Sequence, residues 1–380
     1  MRLVRLQFDD GSPSSFIPFI QLLRGIAPLP VVWAHLGGAW YFATHGKIFP
    51  PFQWFRATFS EPLHLFQDGA HLGVVVFFLI SGYIISHVGQ NESLLEFLIK
   101  RSVRLLPTLF LAVFGMYVLA AVSPFFGLPA LWGTQANSAF DYISTALLFN
   151  FAANMPSGLG VTWTLYAEVI FYAIFAMWIG HAKSAPILST IGMMAVAALI
   201  LAPIHFSNYA VSQTYFTACL PLFIIGRAMY LRHTGQISFR AATAFFAVNF
   251  AALFYVYSVA RPEYLWQPPT EPIVTYVAAI MIFYVAMASN IKRVPRVFNF
   301  LGNISYALYL VHVPVGVFSM NVLYGAKLPL GATVLCGIAI SIAAAFLVTR
   351  YVEAPARALA RSYLRRRSTP AVSAGSFASL

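Results

Sequence analysis

"QLLRGIAPLPVVWAHL", residues 21–36, contains an arginine and a histidine in a stretch that is otherwise mostly apolar. Such a stretch suits the hydrocarbon core of a bilayer, where charged and titratable side chains are costly and commonly face a cavity or a partner. The stretch therefore predicts a membrane-spanning helix. It also makes Arg24 and His35 the first candidates for a functional site.

The whole chain has the composition of a membrane protein. Its residues are 60% hydrophobic and 9% charged, whereas soluble domains have about 25% charged residues. About 20 apolar residues cross a bilayer, and we predict an all-α polytopic membrane protein with about ten transmembrane helices. The ten apolar segments are residues 19–43, 70–89, 105–125, 161–180, 186–204, 213–230, 241–260, 272–290, 300–321 and 331–350.

The distribution of lysine and arginine predicts the topology. With ten spans and a cytoplasmic N-terminus, eighteen of these residues fall on the cytoplasmic side and four on the outer side, as the positive-inside rule requires. Both termini are therefore expected in the cytoplasm. The net charge of +12 is then a signal of topology, and it does not indicate nucleic-acid binding. The apolar patch at residues 140–151 is too short to span alone and is interpreted as re-entrant or interfacial.

Three regions follow from this pattern. Residues 1–18 are predicted to be a cytoplasmic segment, residues 19–350 the transmembrane domain, and residues 351–380 a basic, disordered cytoplasmic tail. The chain has two cysteines, both inside predicted spans, so that no disulfide framework is expected. The histidines of the first outer loop are irregularly spaced, and no metal site is predicted.

Arg24 and His35 lie on one face of an ideal helix. Eleven residues correspond to about 20° more than three full turns and to an axial distance of about 16 Å. Pro28 and Pro30 lie between them and are expected to kink the helix. The simpler alternative is that Arg24 reaches the inner interface and that His35 donates to a neighbouring carbonyl.

Glu168 is the only acidic residue deep in a predicted span. We expect it at a depth close to that of His35. A buried carboxylate beside an imidazole holds the tautomer of the ring and stabilises the imidazolium, which makes the histidine a general base. The alternative is a structural ion pair that only holds helices together.

Two further groups have both a functional and a structural interpretation. Lys100, Arg101 and Arg104 cluster on one side of a helix start; they either bind a phosphate ligand or anchor the helix at the cytoplasmic interface. Ser81 and Gly82, midway through the second span, allow close approach of a ligand or of another helix.

His312 lies near mid-depth in the ninth predicted span, and Tyr309 lies one turn earlier. Both side chains are polar, whereas most of the helix around them is apolar. This histidine is either a hydrogen-bonded core residue or part of a site.

Six motifs, taken in order, resemble the integral-membrane acyltransferase 3 family, and the resemblance covers residues 19–357. That family acylates sugars of lipopolysaccharides, exopolysaccharides, Nod factors and glucans. Its most specific mark, an arginine and a histidine separated by ten residues, falls on Arg24 and His35. The motifs are "LRGIAPLPVVWAHL", "GVVVFFLISGYIIS", "KRSVRLLPTLF", "WTLYAEVIFY", "GNISYALYLVHVPV" and "YVEAPAR".

The resemblance implies an O-acyltransferase of the bacterial inner membrane with no permanently bound cofactor. An acyl-CoA donor, expected to be acetyl-CoA, enters from the cytoplasm, and a carbohydrate or glycolipid hydroxyl is acylated on the outer side. The implied catalytic residues are His35, as general base, and Glu168. The implied acyl-CoA ligands are Arg24, Arg101, Arg104 and Ser81, and the candidate acceptor-site residues are Trp163, Tyr309 and His312.

A transporter or permease is the alternative function. In that case Arg24, His35 and Glu168 line a substrate or proton path, as ionisable residues do in carriers. The order of the six motifs favours the enzyme.

Overall fold

The computed structural model describes residues 16–202, 216–259 and 270–368. Every regular element in these ranges is a helix, so the all-α prediction is confirmed. Residues 1–15 and 369–380 lie outside the described ranges, as does part of the two predicted spans at residues 186–204 and 213–230.

The first span consists of four consecutive helical pieces. These are α1 (Pro18–Ile26), α2 (Pro28–Val32), a π-helical segment (Trp33–Ala39) and α3 (Trp40–His45). Proline begins both α1 and α2, where its missing N–H leaves no intrahelical bond unmade. The sequence predicted an ideal helix here, and the π-helical segment departs from it. This segment contains His35.

The remaining α-helices follow in chain order. They are α4 (Pro50–Phe55), α5 (Ala70–Gly89), α6 (Leu94–Val122), α7 (Ala139–Ala146), α8 (Phe149–Ala153), α9 (Trp163–Met177), α10 (Pro186–Leu201), α11 (Leu220–His233), α12 (Phe239–Val259), α13 (Thr270–Ala288), α14 (Arg296–Val311), α15 (Phe318–Gly325), α16 (Leu330–Val348) and α17 (Ala354–Ser368). Further π-helical segments are Arg56–Ser60, His312–Val317 and Thr349–Glu353.

Eight helical runs within the described ranges are long and apolar enough to cross a membrane, and each corresponds to one of the ten predicted spans. The other two predicted spans correspond to the shorter helices α10 and α11, so the count of ten and the cytoplasmic position of the termini stay predictions. The eight runs are Pro18–His45, Phe66–Gly89, Leu94–Phe126, Gly160–Met177, Phe239–Val256, Glu271–Ala288, Arg296–Gly325 and Leu330–Arg367.

The patch at residues 140–151 forms two short helices, α7 and α8. Leu148, between them, has a φ of 57°, a left-handed conformation that interrupts a right-handed helix. Neither helix has the length needed to cross a bilayer, in agreement with the interpretation that this patch does not span alone.

The C-terminal region differs from the prediction. The chain continues from α16 through the π-helical segment Thr349–Glu353 into α17, and α17 packs against α6. Residues 354–368 are therefore helical, whereas the sequence predicted a disordered tail from residue 351. The basic composition suggested disorder, but packing against α6 stabilises the helix.

Arg227 is one of the eighteen basic residues that the topology prediction counted on the cytoplasmic side, but it lies inside α11. Its side chain is fully buried and donates to Ser189 Oγ at 2.7 Å and to Thr190 Oγ1 at 3.0 Å. Its NH1 donates to Ser86 Oγ at 3.3 Å. The guanidinium thus joins α5, α10 and α11 instead of anchoring a loop at the membrane surface.

The backbones of α5 and α11 approach each other at two glycines. A Cβ atom added at Gly82 would lie 1.9 Å from the carbonyl oxygen of Phe223, and one added at Gly226 would lie 2.3 Å from that of Leu79. Small residues permit such close packing of helices in membranes.

We expect Gly82→Ala to destabilise the protein by about 1–3 kcal/mol, because the added methyl group must push α11 away from α5. The matched control is Gly115→Ala on α6, where an added Cβ meets nothing within 4 Å and removal of glycine stabilises a helix by about 0.5–1 kcal/mol. Thermal unfolding of both purified variants in detergent measures the difference. Equal midpoints for the two variants would show that the close approach is not needed.

Candidate active site

Two histidines from distant parts of the chain meet inside the helical bundle. Nδ1 of His35 lies 2.8 Å from Nε2 of His312, and the ring planes are 8° apart. His312 is fully buried, whereas His35 is partly exposed to a cavity. The sequence predicted His312 near mid-depth and His35 at a depth close to that of Glu168, but it did not indicate this pairing.

The hydrogen bonds assign the tautomers of the neutral pair. Nδ1 of His312 lies 3.0 Å from the carbonyl oxygen of Leu308, and a carbonyl only accepts, so this nitrogen carries the proton. Nε2 of His312 is then an acceptor and receives a hydrogen bond from Nδ1–H of His35. Nε2 of His35 is consequently left unprotonated, which is the state that a general base requires.

Both histidines belong to π-helical segments, at residues 33–39 and 312–317. Such turns are rare in helices and are frequent at functional sites. Gly316 lets the two segments pack closely, because a Cβ there would lie 2.9 Å from a side-chain atom of Leu36. Because Leu36 directly follows His35, this close packing keeps the ring of His35 beside that of His312.

We call the space beside His35 the histidine cavity. Its volume is about 490 Å³, in the range of small-molecule sites. Aromatic side chains surround it: the ring of Trp132 lies 5.0 Å from that of His35, and Trp163, Phe52 and Tyr309 also line it.

A polar corner of the histidine cavity is formed by Arg56 and Asp68, whose side chains are 3.0 Å apart. Gln67 and Asp68 have φ values of 51° and 52°, and Gly69 has 85°. The left-handed conformation is costly for Gln67 and Asp68 but not for Gly69, which has no Cβ atom, and such strained residues concentrate at functional sites. The turn directs a carboxylate toward the cavity.

Glu168 has partners other than the one expected. Its carboxylate accepts hydrogen bonds from Ser81 Oγ at 2.8 Å and from the hydroxyl of Tyr172, while the ring of His35 is bonded to His312. The predicted pairing of Glu168 with His35 is therefore corrected: His312, not Glu168, orients His35. Sequence depth alone did not reveal the rotation of α9 about its axis, which directs Glu168 toward α5.

The predicted phosphate ligands line a second space, the basic cavity, with a volume of about 360 Å³. Arg24, Ser81, Arg101 and Arg104 all line it, together with Lys100. The structure thus brings together on one cavity the four residues that the sequence suggested as ligands of acyl-CoA.

A narrow cavity of about 60 Å³ lies between the other two. It shares Arg24, Ser81 and Arg104 with the basic cavity and Tyr309 with the histidine cavity. Its volume accommodates only a few water molecules, so a ligand that passes through it must be thin. The shared lining residues place the narrow cavity between the arginines of the basic cavity and the histidine cavity that His35 lines.

Comparison with known proteins identifies the chain. Residues 17–350 match the sequence profile of the acyltransferase 3 family, which describes an acyltransferase domain. The chain belongs to the acyltransferase 3 family. The family resemblance seen in the six motifs is therefore confirmed, and the molecule is a multi-pass membrane acyltransferase. The transporter alternative has no comparable support.

Curated relatives agree with this assignment. The chain is 28% identical to the exopolysaccharide production protein ExoZ of Rhizobium meliloti (strain 1021) over 76% of this chain and 90% of that protein. It is 24% identical to the putative peptidoglycan O-acetyltransferase YrhL of Bacillus subtilis (strain 168) over 81% of this chain and 50% of that protein. No solved structure matches the chain.

Proposed function

We propose that this acyltransferase moves an acyl group, chiefly acetyl, from cytoplasmic acyl-CoA to a carbohydrate hydroxyl on the outer side of a bacterial inner membrane. The observation that carries the proposal is the series of three cavities, related by shared lining residues, between the arginines and His35. Acyl-CoA is charged at one end, carries its thioester at the other and has a thin arm between them. Its shape and charge therefore match this series of cavities.

The donor end of this proposal rests on the basic cavity. Guanidinium groups bind phosphates by charge-assisted, often bidentate hydrogen bonds. Arg24, Arg101 and Arg104 would hold the phosphates, and Ser81 lies where the arm enters the narrow cavity. CoA acts here as a substrate that leaves after each turnover and not as a bound cofactor.

The chemical step rests on the histidine pair. Nε2 of His35 takes the proton from the acceptor hydroxyl, and the hydroxyl oxygen attacks the thioester carbonyl. A C–O bond forms and the C–S bond breaks. The proton on His35 is then available to the leaving thiolate, so the products are an O-acyl ester and free CoA.

The acceptor end rests on the aromatic lining of the histidine cavity. Trp132 and Trp163 offer flat apolar faces for a sugar ring, and the side chains of Arg56 and Asp68 offer a donor and an acceptor for hydroxyl groups. The names of the relatives, exopolysaccharide production protein and peptidoglycan O-acetyltransferase, are consistent with a glycan acceptor.

Sealed membrane vesicles of both orientations test the proposal. We expect vesicles with the cytoplasmic side outward, supplied with acetyl-labelled acetyl-CoA, to place label on lumenal carbohydrate as an ester that mild alkali removes. Right-side-out vesicles should stay unlabelled until acetyl-CoA is loaded inside, and vesicles without the protein provide the background. Labelling of lipid or protein alone, or labelling that needs a donor other than a CoA thioester, would contradict the proposal.

A further inference from the structure

The C-terminal helix α17 lies beyond residues 17–350, the part of the chain that matches the family. Its side chains nevertheless line one wall of the basic cavity. Arg357, Arg361 and Arg365 contribute there, together with the smaller or apolar side chains of Ala360 and Leu364. The first turn of α17 holds the end of the motif "YVEAPAR", and the rest of the helix, beyond both the motif and the matched residues, completes the wall of the cavity.

The three arginines form one stripe along α17. They are four residues apart, so each is rotated by about 40° from the one before it, and the stripe extends about 12 Å along the helix axis. Ala360 and Leu364 belong to the same face. Because α17 packs against α6, this stripe lies across the cavity from Lys100 and the other cations of α6.

The described residues that line the basic cavity carry more positive than negative charge. Seven of them are cationic and one, Glu96, is acidic. Glu92, close by, lies 3.0 Å from Lys100 and 3.6 Å from Arg101, and Glu353 lies 3.5 Å from Arg357. Even with these three carboxylates and that of Glu168, which accepts a hydrogen bond from Ser81, the described residues keep an excess of positive charge, which suits a ligand with several negative charges.

We propose that α17 is part of the donor site and that its arginine stripe binds the phosphate groups of the acyl donor. The inference rests on the proposed function, in which that donor is acyl-CoA. Arg361 and Arg365 are exposed and stand at the mouth of the cavity, whereas Arg24 and Arg104 line both the basic and the narrow cavity. The stripe thus holds the nucleotide end of the donor, and the arm extends inward.

Binding measurements on the full-length protein in phosphatidylcholine nanodiscs test this inference. The test variant is R361Q/R365Q. The matched control is R366Q/R367Q, which removes the same charge from exposed residues of α17 that do not line the cavity. Calorimetric titrations use acetyl-CoA and adenosine 3′,5′-bisphosphate, because the second probe carries phosphates without the pantetheine arm.

We expect R361Q/R365Q to weaken the binding of both probes about tenfold, since each partly exposed charge pair contributes a few-fold and the two effects multiply. The control should stay within about twofold of the unaltered protein. The inference would be overturned if R361Q/R365Q bound both probes as tightly as the unaltered protein does, or if both variants lost the same affinity. If the stripe instead binds anionic lipid headgroups, R361Q/R365Q will keep its affinity for acetyl-CoA in these phosphatidylcholine nanodiscs, and the inference fails. If the unaltered protein fails to bind acetyl-CoA, the donor assignment itself fails.

Discussion

Replacing His35 by glutamine is expected to lower the rate of acyl transfer by about 10²–10⁴-fold, the range that a positioned general base contributes. The amide of glutamine keeps a hydrogen bond to His312 but does not accept a proton from the acceptor hydroxyl at neutral pH. Transfer from acetyl-labelled acetyl-CoA to carbohydrate, measured with equal amounts of purified protein, gives the ratio of rates.

The affinity for the donor should stay unchanged in His35→Gln, because the arginines that line the basic cavity are untouched. Titration with acetyl-CoA therefore separates a chemical defect from a folding defect. Near-normal transfer by this variant would show that the base is elsewhere. A loss of donor binding in parallel with the loss of rate would show that His35 is a structural residue.

The positions of the helices are predictable from sequence because a membrane span depends only on the residues within it. About 20 apolar residues have to form intrahelical hydrogen bonds in hydrocarbon, and the predicted span at residues 70–89 coincides with α5. The π-helical turn around His35 was not predictable in this way. It depends on close packing against the segment that contains His312, which is 277 residues away along the chain.

The site residues show the same division between local and distant information. Arg24, Ser81 and Arg104 meet on one cavity as expected, because each lies on a helix whose position in the bundle follows from its span. The predicted partner of Glu168, His35, was wrong because rotation of one helix by a fraction of a turn exchanges one neighbour for another. The sequence shows that the three arginines of α17 lie on one helix face. Only the packing of α17 against α6 shows that this face lines a cavity.

The hydrogen bonds of the histidine pair indicate different roles for His35 and His312. His312 is fully buried, and its Nδ1 is committed to the carbonyl of Leu308. Only its Nε2 is available, and that atom accepts a hydrogen bond from Nδ1–H of His35. We therefore interpret His312 as a positioning residue that acts through His35 and does not itself touch the acceptor.

Replacing His312 by phenylalanine is expected to lower the rate roughly 10- to 100-fold, the range seen on loss of the partner that orients a metal-binding histidine. Phenylalanine fills the space but does not accept the hydrogen bond from His35, so the ring of His35 is free to rotate and to carry its proton on Nε2. His312→Gln should recover part of the rate, because its amide oxygen is able to accept that bond. The affinity for acetyl-CoA should not change in either variant.

The double variant with His35→Gln and His312→Phe distinguishes positioning from an independent role. If His312 acts only through His35, the double variant should be no slower than His35→Gln alone, because the interaction has already been lost. If the two losses multiply, His312 contributes to the reaction by itself. If His312→Gln is as inactive as His35→Gln, an amide that accepts the hydrogen bond does not restore the position of His35, and the positioning role of His312 fails. Initial rates of label transfer for the unaltered protein, the three single variants and the double variant at saturating acetyl-CoA decide among these outcomes, since they isolate the chemical step from donor binding.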